Sequence, residues 1–458
     1  MDLRLTQAAP TVSAMKTLST RRNFLRHLGA AGLVAPAFVR HLISAPPSNR
    51  IRLASFGANG MAWTDLISHL ANPNVELLAV AEVDLDRLGK LTQRFPDRQV
   101  RIYQDWRRLL DNEAKHLDAV SVGTPDHMHA PIGMSSMDLG LHTFIQKPLA
   151  HDIFEARKMA ELASTKKLQT QMGIHLHSSS QYRTAIALIR AGTIGKIREV
   201  HSWCQKKWGD PTSAPQQADP VPAGLDWNNW LGVVESRPFV KGAYHPGNWR
   251  KRLEFGTGTL GDMGCHIFDP VVSALQLGQP LTVRSEGTAP NEWSWATDAV
   301  IRYVFGGTPY TEQMFMLNWY DGDAIPPTDV QALLEGLPLP GQGSLFVGNQ
   351  GSMLLPHTDW PTFFPSEHFA DFQYKRVEKD NTHYAQFTAA ISGGPPPSAA
   401  FDYSGPLTET VLLGSIATFF PQTTLVWDRA ALRFKNLPQA NTKVRRRYRK
   451  GWEIAALD

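Results

Sequence analysis

Apolar and polar positions between residues 51 and 172 alternate between two rhythms. Short β-rich runs at Ile51–Phe56, Val75–Glu82, Ala119–Val122, His142–Ile145 and Gln169–Met172 form the first. Between them lie stretches with apolar residues three or four apart, at Ala62–Leu70, Leu85–Arg94, Asp105–Leu110, Met128–Leu139 and Ile153–Ala163. Strands that alternate with helices predict a parallel, doubly wound α/β sheet of the Rossmann kind, because parallel neighbours need a crossover and a helix supplies it. After Gly173 the rhythm changes. One helix, Ser179–Ala191, leads into β-like runs at Ile197–Gln205, Leu281–Gly287, Asp298–Phe305, Thr311–Trp319 and Ser344–Val347, with few helices between. These predict a second, α+β domain on a large, mostly antiparallel open sheet. The Pro-rich stretch Gly209–Asp226 reads as a long loop.

Composition bounds the picture without changing it. A chain of 458 residues, 42% apolar and 19% charged, is globular and too long for one core. Four segments are expected: 1–45 as an address, 46–172 as a nucleotide-binding domain, 173–440 as a substrate and oligomerisation domain, and 441–458 as a basic tail. No uncharged apolar run reaches the roughly 20 residues that span a bilayer. Cys204 and Cys265 are too few for a disulfide scaffold or a four-cysteine zinc site.

Charge matters once it is divided. The formal net of +4 includes six basic residues and one acid within 1–45; the rest of the chain, with 40 basic and 41 acidic residues, nets −1. A nucleic-acid binder carries its positive charge on the folded body, so that class is not expected. Lys443–Lys450 (KVRRRYRK) is a solvated arm or an inter-subunit strap on this reading. In the address segment, Arg21-Arg22-Asn23-Phe24-Leu25 precedes an uncharged run from Leu28 to Val39. That order resembles a twin-arginine (Tat) signal, a route that exports folded proteins. Periplasmic location and a passing contact with the Tat translocase follow as expectations; a buried amphipathic helix is the alternative.

The first chemical motif is the turn Gly57-Ala58-Asn59-Gly60-Met61-Ala62 after the first strand. Such a turn lets backbone approach a pyrophosphate, which then rests on the helix N-terminus. Against G-x-G-x-x-G it reads Gly57, Asn59, Ala62; Asn59 departs from the pattern, although Asn enters left-handed backbone more easily than most residues. Glu82 closes the second strand, where an acid bonds ribose hydroxyls and favours NAD over NADP; Asp84 competes for that role. Thr124-Pro125-Asp126-His127-Met128-His129 and Gln146-Lys147-Pro148 each follow a strand, at the carboxyl edge where ligands bind. For His127 the bland reading is a helix cap.

These segments, in order with Gly261-Asp262-Met263-Gly264-Cys265-His266, resemble the Gfo/Idh/MocA oxidoreductase family, and more narrowly a Tat-exported bacterial branch. Gln171-Met172-Gly173, Tyr244-His245-Pro246-Gly247-Asn248-Trp249-Arg250 and Tyr448-Arg449-Lys450-Gly451-Trp452 carry the narrower likeness. The resemblance implies an NAD(P)-dependent enzyme moving hydride at a saccharide hydroxyl, with the cofactor held tightly enough to survive export. It implies Lys147, Asp262 and His266 as the catalytic group. It implies cofactor contacts from Gly57, Asn59, Gly60, Met61, Glu82, Thr124, Pro125, His127, His129, Gln146 and Lys147. The family's Glu-Lys-Pro is Gln146-Lys147-Pro148 here, so the charge beside Lys147 is missing.

Asp262 and His266, four apart, suit one helical face, with His266 near neutrality as the acid/base. Aromatic residues pack on sugar C–H faces, which puts Tyr244 and Trp249 at the saccharide, with Tyr182 and Arg183 on the helix that opens the second domain. No metal is expected, since His127-x-His129 and His175-x-His177 lack a tight Cys or acid partner. Two further readings stay open: a redox-neutral, NAD-dependent glycosidase, and a carbohydrate-binding protein on a relic Rossmann scaffold. A homo-oligomer is expected from the open sheet.

Overall fold

The computed structural model describes residues 50–96, 100–378 and 382–457. The segment 1–45, with its expected signal, lies outside the described residues. Among the described residues no helix is long and apolar enough to cross a membrane.

The N-terminal sheet has six parallel strands. They are β1 (Ile51–Phe56), β2 (Val75–Ala81), β3 (Arg101–Tyr103), β4 (Ala119–Val122), β5 (His142–Ile145) and β6 (Thr170–Met172), in the order β3-β2-β1-β4-β5-β6. Residues of β4 are buried on both faces, as helix-covered parallel strands are, so their sequence lacks alternation. The crossovers are α1 (Gly60–Leu70), α2 (Gly89–Arg94), α3 (Trp106–Glu113), α4 (His129–Asp138) and α5 (Ile153–Thr165). A capping box of Asp152 and Glu155 starts α5. Strand order reverses between β1 and β4, so Gly57 and Gly123, just past their ends, flank the switch-point crevice.

After α6 (Ser180–Arg190) come β7 (Ile197–Cys204), α7 (Trp227–Leu231), α8 (Gly258–Leu275), β8 (Thr282–Ser285), β9 (Ala299–Gly306), β10 (Thr311–Asp321) and α9 (Thr328–Ala332). The chain then forms β11 (Gln342–Gly348), β12 (Ser352–Pro356), β13 (Thr362–Phe364), α10 (His383–Ile391), α11 (Phe401–Ala417), β14 (Thr424–Asp428) and β15 (Arg433–Phe434). Nine of these strands form one sheet in the order β13-β12-β11-β7-β10-β9-β8-β14-β15, antiparallel except for the pair β7 and β10.

Two long helices pack on this sheet where the sequence pattern predicts few. Every residue of α8 but Ser273 is buried, and α11 exposes little beyond Asp402, Tyr403 and Pro406. A helix buried on all sides lacks the exposed polar stripe that marks a surface helix, so its apolar period is hard to see in the sequence. Small residues let the two approach: a Cβ on Gly414 would meet the Tyr303 hydroxyl at 1.9 Å and Leu260 of α8 at 2.8 Å.

The basic tail is not a free arm: part of it packs on its own chain. Val444 is buried, the Arg446 N–H donates to Asp152 Oδ2 at 2.9 Å, and the Tyr448 hydroxyl donates to Glu155 at 2.7 Å. Arg449 Nη2 donates to the Gly232 carbonyl at 2.8 Å, and Trp452 packs under the Arg107 guanidinium. Residues 444–452 thus clamp α5 to the loop after α7.

Candidate functional site

A cleft of about 1170 Å³ opens at the switch point, lined from Glu82 and Arg87 at one end, past Gly57, Asn59, Gly60 and Met61, to Lys147 and Asp262 at the other. Gly57 and Gly60 have φ of +98° and +55°. Asn59 instead is extended (φ −134°) and its side-chain amide donates to the Arg87 carbonyl at 2.7 Å, so Gly60, not Asn59, carries the left-handed step. A Cβ on Gly60 meets nothing within 4 Å, which leaves the start of α1 open to a ligand. Thr124 adds a buried hydroxyl with no partner on the cleft wall. An open turn, the amides at the start of α1, and an unmet hydroxyl fit a dinucleotide phosphate.

At the far end of the turn, Glu82 accepts from the Ala58 N–H at 3.0 Å and the Asp84 N–H at 3.1 Å. Asp84 is buried and bonded to His245 Nε2 at 2.7 Å, so the carboxylate on the cleft is that of Glu82. Of the cleft glycines Gly123 has the least room: a Cβ there would meet Ala62 Cβ at 2.6 Å and its Cα at 2.7 Å. Gly123→Ala is therefore expected to push α1 off the end of β4 and weaken NADH binding by about a hundredfold, with a thermal midpoint lowered by several degrees; fluorescence titration and a melting curve check both.

Lys147 precedes a cis Pro148. Its ammonium donates to Asp262 Oδ1 at 2.6 Å and to the Asp262 carbonyl at 2.8 Å. Trp208 Nε1 donates to Asp262 Oδ2 at 2.9 Å, and Lys206 and Arg250 each lie 3.7 Å from the carboxylate. Burial alone would raise the Asp262 carboxyl, but Lys147, Arg250 and Lys206 outweigh it and hold the group well below the usual carboxylate range. Asp126, bonded by the Thr257 hydroxyl at 2.7 Å, goes the other way: burial lifts it to about 6.

His266 lies one turn from Asp262 on α8, between His175 and His357, at ring-centroid distances of 5.7 and 5.6 Å. Burial first, then the Lys147 charge, pushes it well below the usual histidine range rather than near neutrality, and its Nδ1 has no partner. His357 is held to about 4 by burial and by Lys206. The ring cluster is uncharged at neutral pH, beside a cluster of cations.

Four expected site residues lie elsewhere, and His266, one turn from Asp262, sits behind the cleft lining rather than in it. His127 is wholly buried under Trp230 and Phe255, its Nε2 on the Trp230 carbonyl at 3.1 Å. Tyr244 belongs to the aromatic core of Trp227, Trp230 and Phe255. Tyr182 is buried behind the cleft, its hydroxyl hydrogen-bonded to His357 Nδ1 at 2.8 Å, and so orients that ring rather than lining the site. Arg183 lines a separate cavity with His177 and bonds the Glu378 carbonyl. Pro125, His129, Gln146 and Trp249 do line the cleft. His129 has its ring nitrogens 2.7 Å from the Pro148 carbonyl and 2.9 Å from the Thr124 carbonyl, so it ties the two loops together. Among the described residues no group of three or more His, Cys, Asp or Glu is arranged to hold a metal. Sequence patterns assigned no site role to Lys206, Trp208, Arg250, His175 or His357, although Arg250 closes the Tyr244–Arg250 segment and His175 belongs to the His-x-His pair set aside as a metal site.

Residues 51–174 match the oxidoreductase family with an NAD-binding Rossmann fold, and residues 193–306 match its C-terminal alpha/beta domain. Levoglucosan dehydrogenase of Pseudarthrobacter phenanthrenivorans is 25% identical over 165 residues, 36% of this chain and 34% of that one. A dTDP-3,4-didehydro-2,6-dideoxy-alpha-D-glucose 3-reductase of Streptomyces antibioticus is 29% identical over 155 residues, 34% of this chain and 46% of that one. These matches span less than half of either relative. An inositol dehydrogenase homolog from Azotobacter vinelandii, solved with NADH and myo-inositol, has the same fold: TM-score 0.55 at 16% identity, over 82% of this chain and 98% of that one.

Proposed function

Because this chain belongs to the Gfo/Idh/MocA oxidoreductase family, with its NAD-binding Rossmann fold and C-terminal alpha/beta domain, we propose that it moves hydride between a nicotinamide dinucleotide and a hydroxyl-bearing carbon of a sugar or glycoside. The observation that carries this reading is the buried Lys147–Asp262 pair, 2.6 Å apart, at the end of the cleft away from Glu82. Gly57, Gly60 and the first turn of α1 would hold the pyrophosphate, and Glu82 the adenosine ribose. When bound, the cofactor supplies the redox chemistry.

Protons are left to the protein. The Lys147 ammonium gives one to a carbonyl oxygen being reduced and, as the free amine, takes it back when the hydroxyl is oxidised; Asp262 fixes the group in place, and neutral His266 on the same helix can accept the proton in turn. Glu82 would repel a 2′-phosphate, which supports NAD over NADP although Arg87 lines the same end. Export by the Tat route as a folded, cofactor-loaded protein to the periplasm belongs to the same proposal, resting on Arg21-Arg22 and the apolar run behind them.

The test is incubation with NAD and a panel of sugars and glycosides, following nicotinamide absorbance. A rise with at least one saccharide is expected. A protein that binds saccharides, yet neither changes the absorbance nor converts them, is a binding module and the proposal fails.

A further inference from the structure

The Gln146-Lys147-Pro148 segment carries no acid, yet a carboxylate stands against it. Gln146 Nε2 donates to both oxygens of Asp65, each at 2.9 Å, and the Tyr384 hydroxyl donates to Asp65 Oδ1 at 2.8 Å. Asp65 is wholly buried, on the inner face of α1. Gly173 packs against the Gln146 amide, so closely that a Cβ there would lie only 2.6 Å from its Nε2. Its Oε1 is left facing the Lys147 N–H, at 3.4 Å.

We propose that Asp65 supplies the negative charge this segment lacks and positions Lys147 through the Gln146 amide. The inference rests on the role given to Lys147 above. A buried carboxylate bonded only by neutral groups costs several kcal/mol unless a cation compensates it. Here the cation that acts on it is Lys147.

The titratable groups on α1 and α10 nearest this pair do not compete. His69 on α1 and His383 on α10 are both driven to about 3 by burial, hence neutral. Tyr384 is driven upward, first by burial and then by Asp65 itself. Asp65 is raised to about 6 by burial, against the bonds from Tyr384 and Gln146 and the Lys147 charge. Protonation below about pH 6 would remove the charge and give activity an acid limb. The same carboxyl in its ordinary position, one residue before Lys147, would need no partner on α1.

A reciprocal exchange tests this. Asp65→Asn keeps the shape and an amide contact but removes the charge; Gln146→Glu sets two carboxylates face to face; the double variant returns one charge to the pair. One readout needs neither cofactor nor substrate: the rate at which a small acylating ester modifies Lys147, read by peptide mass spectrometry. Asp65→Asn is expected to speed acylation about three- to tenfold, since the ammonium loses one of the charges that hold it in place. It is expected to lower kcat by about tenfold with KM for NAD nearly unchanged. The double variant should return both to within about twofold of the parent.

Wild-type rates in folded Asp65→Asn, or a folded double variant that stays impaired, would overturn the inference. Should Asp65→Asn not fold, Tyr384→Phe takes its place: with one donor gone, the acid limb moves up by about one pH unit, and an unmoved limb is equally fatal. If acylation follows these expectations while no saccharide is ever turned over, the catalytic reading fails and the Asp65–Lys147 coupling stands.

Discussion

Lys147→Met is expected to lower kcat by about three orders of magnitude while NADH binding stays within about tenfold of wild type. Methionine keeps the length and apolar stem of lysine, so the cis Lys147–Pro148 segment and the Gln146 contacts have no reason to move. What goes is the donor 2.6 Å from Asp262 Oδ1 and 2.8 Å from its carbonyl. Asp262 still faces Lys206 and Arg250, both 3.7 Å away, so its charge remains balanced and the fold should survive. Most of the loss then belongs to proton transfer and alignment. The check is steady-state kinetics beside an NADH titration: a variant that loses both together would mean Lys147 mainly builds the cofactor site.

Asp262→Asn should damage stability as well as turnover. Three cations surround that carboxylate, and the 2.6 Å pair with Lys147 is almost wholly buried. Removing one partner of a buried pair leaves the others unbalanced, at a cost of about 3 kcal/mol. The pH dependence has a definite sign. Asp262 is depressed in the folded protein, so its contribution is fully present above the ordinary aspartate range and fades as pH falls toward its folded value. Denaturant midpoints of wild type and variant should therefore differ most at neutral pH and converge below about pH 4. A gap that is the same at pH 7 and pH 3 would show that packing, not charge, holds the site.

The nucleotide half of the site was readable because its parts are local. Gly57, Glu82, Thr124 and Lys147 each lie within two residues of a strand's end, and a parallel sheet brings all strand ends to one edge. Residues that surround Asp262 were not readable, because they arrive from separate elements. His357 follows β12, Lys206 and Trp208 follow β7, and Arg250 sits in a turn before α8. Asp65 was hidden for another reason: on α1 it occupies a buried position where periodicity anticipates an apolar residue, and only its contact with Gln146 gives it meaning. The aromatic residues misled in the opposite direction. Tyr244 and Tyr182 suggested a sugar platform, but one fills a core of rings and the other bonds His357 from behind. Ring chemistry alone does not say which way a side chain faces.

The most direct single measurement is a titration of the purified chain, first freed of bound nucleotide, with NADH, followed by energy transfer from tryptophan to bound nicotinamide. Trp230 and Trp249 line the cleft and supply the donors. Saturable binding at one NADH per chain, displaced by NAD more readily than by NADP and weakened in Gly123→Ala, is the expected result. No transfer, with either oxidised dinucleotide also failing to bind by calorimetry, would contradict a dinucleotide site at Gly57–Met61 and the hydride chemistry that depends on it.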